Sequence, residues 1–231
     1  MAAMKSRGPA SYGMMKGAIV LLAIGVLASL YLENIRALAL ASLLATFISL
    51  AILIYLHLLP TGYNPISHAV SDYAVGRSGH LFRHYLWFGS IGVLALALCL
   101  MVGAKLPQPA GAALACLGLN AIGRVAASLF PTDLEGKRLT RTGAIHYAIA
   151  FLDFAFLTVA ISNLTPLMVA LPPWQPAAAM LAWLAWAAVP AVALVVITLL
   201  PPLRRVFGLC ERLFLVATCL WLILAALLLV I

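Results

Sequence analysis

The chain has 231 residues, 65% of them hydrophobic and 9% charged, with 14 Lys and Arg against 6 Asp and Glu. A soluble domain carries about 25% charged and about 45–50% apolar residues, so this composition excludes a soluble or disordered protein and makes lipid the solvent. The basic excess lies mostly in short loops beside apolar runs, where it orients a membrane protein and meets anionic headgroups; a nucleic-acid partner is therefore not expected.

Seven apolar runs follow one another, at 17–32, 37–59, 86–104, 111–130, 144–164, 177–200 and 213–231. Most approach the ~20 residues that span ~30 Å of hydrocarbon. The first is short, and residues 12–16 extend it, with Lys16 reaching the headgroups. Lys5, Arg7 and Lys16 before an apolar run have the form of a secretory signal, and Ala37-Leu38-Ala39 that of a cleavage site. We read this stretch as an uncleaved first helix, with one bent or re-entrant element over the first two runs as the alternative.

Loop charge sets the orientation. With the N-terminus in the cytoplasm and seven alternating helices, the cytoplasmic side receives Lys5, Arg7, Lys16, Arg77, Arg83, Lys137, Arg138, Arg141, Arg204, Arg205 and Arg212. Arg36 and Lys105 fall opposite, and Arg124 lies within a helix, which accounts for all 14 Lys and Arg. This asymmetry is what the positive-inside rule expects. The prediction is an all-α polytopic transmembrane helix bundle of about seven helices, N-in and C-out, in the inner (cytoplasmic) membrane. Residues 1–231 form a single domain: an N-terminal basic segment and first helix (1–36) precede a six-helix core (37–231).

Pro60, Pro131, Pro172, Pro173, Pro201 and Pro202 lie at run ends, where a missing N–H costs least. Pro190 falls inside the sixth run and predicts a kink. Trp174, Trp183 and Trp186 read as an interfacial belt with lipid-facing packing. Cys99, Cys116, Cys210 and Cys219 have neither zinc-site nor disulfide spacing and read as small apolar residues. No internal repeat supports a transporter of inverted halves.

The chemistry concentrates in three segments near the cytoplasmic side. In 61–76, Asn64-Pro65 reads as a helix start and Gly76 as a stop. A helix between them puts His68, Ser71 and Asp72 on one face and Ile66, Val70 and Ala74 on the other, as in an interfacial amphipathic helix. Three groups within one helical turn rarely give the line of a catalytic triad, so capping and headgroup contact are the preferred reading. The second segment holds Asn120, Arg124 and Phe130-Pro131-Thr132-Asp133; the third holds His146 and Asp153. Arg124 lies seven residues before Pro131 and Asp153 seven after His146, so both sit ~10 Å below neighbouring helix ends. An intramembrane charge costs at least ~2.5–3.5 kcal/mol unless relieved, and an Arg124–Asp153 ion pair shared with Asn120 is predicted. His57, His68, His80, His84 and His146 lie toward the same side without an HExxH pattern. No metal site and no cofactor is expected.

Asn64-Pro65-Ile66-Ser67 with Ser71-Asp72 and Gly76, then Arg124 with Phe130-Pro131-Thr132-Asp133, then His146, resemble the bacterial and archaeal membrane family labelled "domain of unknown function 998". The resemblance covers roughly residues 40–230. It implies a helical bundle with these motifs clustered on one side, carries no established activity, and makes the first helix an addition to a six-helix pattern. The functional expectation is binding or processing of a lipid or other amphiphile at a cytoplasm-facing pocket of Asp72, Arg124, Asp133, His146 and Asp153, with Asn120, His68 and Ser71 alongside. His146 or Asp72 is the candidate for proton transfer and Arg124 for anion stabilisation. The alternative is a non-enzymatic subunit or assembly factor of a larger membrane complex. Membrane lipids, a membrane-protein partner or a second copy of the chain are the partners these readings admit.

Overall fold

Hydrocarbon offers no partner to a backbone N–H or C=O, so an apolar run must close its own hydrogen bonds, and the helix does so. The computed structural model describes residues 35–103, 106–107, 109–134 and 137–231. Among the described residues there is no strand, and six helices are long and apolar enough to cross a membrane. They are α1 (Ile35–Leu58), α2 (Gly79–Gly103), α3 (Ala110–Leu129), α4 (Arg141–Val169), α5 (Ala178–Ile197) and α6 (Phe207–Leu227). The helix predicted over 17–32 lies outside the described residues.

Each helix packs on the next, and α1 packs on α6, closing a ring. Small residues permit the close approaches. Ser42 Oγ donates to the Gly92 carbonyl at 2.8 Å and Ser49 Oγ to the Tyr85 carbonyl at 2.8 Å, tying α1 to α2. Ser90 Oγ donates to the Ala121 carbonyl at 2.7 Å, tying α2 to α3. Trp221 Nε1 donates to Thr165 Oγ1 at 2.9 Å, tying α6 to α4. Trp183 and Trp186 are 64% and 70% exposed, as lipid-facing residues must be, but Trp174 is not part of that belt. It is fully buried, and its Nε1 donates to the Ala225 carbonyl at 3.0 Å. Pro190 and Pro166 both lie inside helices.

Two helices begin earlier than their apolar runs: α2 takes in His80, Arg83 and His84, and α6 takes in Glu211 and Arg212. Charged residues had marked the run boundaries, yet the first turns of both helices accommodate them. This shift places Glu211 inside the bundle.

The segment 61–78 departs most from its sequence pattern. In place of an amphipathic α-helix it forms a turn at 65–68 and short 3-10 turns at Val70–Ala74 and Gly76–Ser78. Asn64 Oδ1 accepts the Ile66 N–H at 2.8 Å, the local bond that starts the turn. Gly76, at φ +76°, supplies the left-handed residue between the 3-10 turns. Val70, Asp72 and Tyr73 are buried in protein and do not lie on a membrane surface. The cause is the start of α6, whose first-turn N–H groups lack helical partners. The Ile66 carbonyl accepts the Leu209 N–H at 2.9 Å, Arg212 Nη1 donates to the His68 carbonyl at 2.8 Å, and Val70 N–H donates to Glu211 Oε2 at 2.6 Å.

This docking needs a bare backbone at Gly208, where a Cβ would collide with the His68 carbonyl and crowd the Pro65 carbonyl and Arg212 Nη1. Gly208→Ala is expected to lower stability by about 1–3 kcal/mol, the usual cost of overpacking. Thermal melting in detergent measures it; an unchanged midpoint would show that the turn is not held against α6.

Candidate functional site

The ends of α4, α5 and α6 enclose a cavity of about 410 Å³. Ser71, Asp133, Lys137, His146, Arg204 and Glu211 line its polar part; Phe151, Phe154, Val192, Val195, Val196 and Leu199 line its apolar part. Ser71, Asp133, His146 and Glu211 each have a local reason for being there.

Thr140 caps α4, its Oγ1 accepting the Gly143 N–H at 3.1 Å. Asp133 grips the cap in turn, accepting Thr140 N–H at 2.6 Å on Oδ2 and Thr140 Oγ1 at 3.0 Å on Oδ1. A carboxylate here also complements the positive end of the helix. Gly143 leaves room for it, since a Cβ there would collide with the Asp133 carboxyl group. His146 stands one turn into α4, buried, with Nδ1–H donating to the Phe130 carbonyl at 2.7 Å. In the neutral ring this leaves the lone pair on Nε2.

Ser71 reaches the cavity because its 3-10 turn is docked on α6. Asp72, next to it, is buried and lies within electrostatic range of Glu211 and Tyr63. The Tyr63 phenol is raised above its ordinary pKa, first by partial burial and then by the Asp72 carboxylate. Glu211 is the site residue that sequence reasoning passed over. Counted as a loop residue between Arg205 and Leu213, it is in fact inside α6, buried, and bonded to the Val70 N–H. An acidic residue in a chain with only 6 of them, separated only by Arg212 from the apolar run 213–231, was the available signal.

The structure brings Ser71, Asp133 and His146 to one cavity and sets the other candidates apart from it. His68 stacks on Tyr63 with ring centroids 5.4 Å apart, its Nδ1 3.2 Å from Ser67 Oγ. His57 directs Nδ1–H to the Leu53 carbonyl at 2.7 Å and accepts Arg212 Nε–H at 2.8 Å on Nε2. His84 Nδ1 bonds to the His80 carbonyl at 2.7 Å. Among the described residues no three His, Cys, Asp or Glu side chains are grouped to hold a metal ion.

Asn120, Arg124 and Asp153 lie together between α3 and α4, but the predicted ion pair is replaced by a relay. Arg124 Nε donates to Asn120 Oδ1 at 3.3 Å, and Asn120 Nδ2 donates to the Asp153 backbone carbonyl at 3.0 Å. Asp153 Oδ1 is buried without a hydrogen-bond partner. The reason is azimuth. Gly123 is the residue that faces the Asp153 carboxylate, whose Oδ1 would lie 2.5 Å from a Cβ there. Arg124 is turned by about 100° from Gly123 and runs toward α2, its Nη1 against Gly89. The two charges stay within electrostatic range but point to different neighbours.

A closed ring of apolar helices with an amphipathic cavity at one end defines a multi-pass helical membrane protein. Residues 43–228 match the model of the family described as protein of unknown function (DUF998), and the chain belongs to that family. No curated protein and no solved structure matches it.

Asn120 is bonded to both members of the relay. Asn120→Leu is expected to cost about 1–3 kcal/mol by stranding polar atoms. The double reversal Arg124→Asp with Asp153→Arg is expected to leave the protein less stable than either single change. Rescue by the reversal, read in the same melting assay, would restore the direct ion pair.

Proposed function

We propose that the protein binds a single-chain amphiphile, its headgroup among Ser71, Lys137, His146, Arg204 and Glu211 and its chain along Phe151, Phe154 and Val192–Leu199. One observation carries this reading: a single cavity of about 410 Å³ joins polar groups from three loops and helices to a wall of apolar side chains. The volume falls in the range of small-molecule sites, about 300–1,000 Å³. Lys137 and Arg204 favour an anionic headgroup, while Asp133 is already engaged with Thr140.

The basic residues in the loops and helix starts at this end, among them Arg77, Arg83, Lys137, Arg138, Arg204 and Arg205, support a mouth that opens to the cytoplasm of an inner-membrane protein. A headgroup entering from that side meets cations first. His146 is the group suited to proton transfer, because its Nδ1–H is held by a carbonyl and the neutral ring offers Nε2 as a base. Arg124 has no part in this pocket.

Native mass spectrometry of gently extracted protein, with displacement of a fluorescent lysophospholipid, tests the reading. Retention of an amphiphile is expected. Ala150→Trp, which fills the cavity, is expected to weaken probe binding at least about ten-fold, or about 1.4 kcal/mol. Binding unaffected by Ala150→Trp would remove the cavity from consideration. Conversion of the bound probe, lost in His146→Ala, would extend binding to catalysis.

A further inference from the structure

A second and smaller cavity, of about 50 Å³, lies away from the amphiphile pocket between α1, α2, α3 and α6. Its polar lining is Thr46, Ser49, Tyr85, Arg124, Thr218 and Cys219. Every one of these groups is able to donate a hydrogen bond and none is a carboxylate. Ser49 spends its proton on the Tyr85 carbonyl and Thr218 on the Phe214 carbonyl. The Arg124 guanidinium, the Tyr85 and Thr46 hydroxyls and the Cys219 thiol remain to serve the cavity.

Arg124 is only 8% exposed. Its Nε is bonded to Asn120, and its Nη end extends to Gly89 and Ser49 and meets the Tyr85 side chain. Among the described residues no ion-pair contact holds it, although the Asp153 carboxylate lies within electrostatic range. A guanidinium keeps its charge at any accessible pH, and an intramembrane charge that no direct ion pair neutralises is costly. Gly89 is what admits it, since a Cβ at that position would stand 2.6 Å from Nη1 and 3.2 Å from Ser49 Oγ.

We propose that this cavity is a binding site for a small monovalent inorganic anion of chloride size, held by Arg124 with Tyr85 and Thr46 as neutral donors. The volume admits about three to five water molecules, or one halide with some water. It is too small for a phospholipid headgroup with its glycerol. The site is independent of the amphiphile pocket, with which it shares no lining residue.

Thermal melting of the detergent-solubilised protein in sodium chloride, against sodium gluconate of equal ionic strength, tests it. A saturable rise is expected, roughly 2–4 °C once chloride exceeds its Kd about five-fold, with bromide acting likewise. Arg124→Gln should abolish the rise and the distant Arg77→Gln should keep it. Should Arg124→Gln fail to fold, Thr46→Val and Tyr85→Phe serve instead, each shifting the chloride midpoint upward about three-fold or more. Bromide located by anomalous scattering beside residue 124 would support the site directly. Equal melting in chloride and gluconate, or a chloride effect that survives Arg124→Gln, would overturn the proposal and leave the cavity occupied by water only.

Discussion

A carboxylate inside an apolar bundle must be given donors, and Glu211 meets that requirement by accepting the Val70 N–H at 2.6 Å. The bond does more than satisfy one side chain. Together with Leu209 N–H on the Ile66 carbonyl and Arg212 on the His68 carbonyl, it draws the 61–78 segment down onto the start of α6. Ser71 thereby joins the cavity and Asp72 comes to lie beside Glu211. Without this docking the polar end of the cavity would lose one of its walls.

Two clusters of ionisable groups have opposite character. Asp72, Asp133 and Glu211 gather at one end of the bundle with Lys137 and Arg204, where acid and base are mixed. Arg124 occupies an acid-free cavity deeper in the ring. Asn120 and Asp153 connect to the second place through one amide, which binds the guanidinium on one side and a backbone carbonyl on the other. An amide is neutral, so it fixes geometry without cancelling the charge.

The spanning helices were legible because length and apolarity alone determine them in lipid, and the membership of residues 43–228 in the family was legible from short motifs around Asn64, Asp72, Arg124, Asp133 and His146. What escaped depended on quantities a linear pattern does not carry. Arg124 and Asp153 were placed at one depth, but depth says nothing of azimuth, and the neighbouring Gly123 faces the carboxylate. The 61–78 segment has true amphipathic spacing, yet docking on α6 outweighs it: the Ile66 carbonyl takes the Leu209 N–H that the helix start leaves open, and Glu211 takes the Val70 N–H. Glu211 was hidden by a boundary drawn at charged residues, and Trp174 by the general preference of tryptophan for interfaces, which a single bond to the Ala225 carbonyl overrides.

Gly143 and Gly208 touch no cavity, yet each gives its missing side-chain volume to a polar atom of a neighbour: the Asp133 carboxyl group and the His68 carbonyl. A mutational scan would therefore rank these two positions beside the cavity-lining residues although neither lines the cavity. In such a map the sensitive positions trace the mould in which the site is cast, and the mould extends well beyond the surface that a bound molecule would touch.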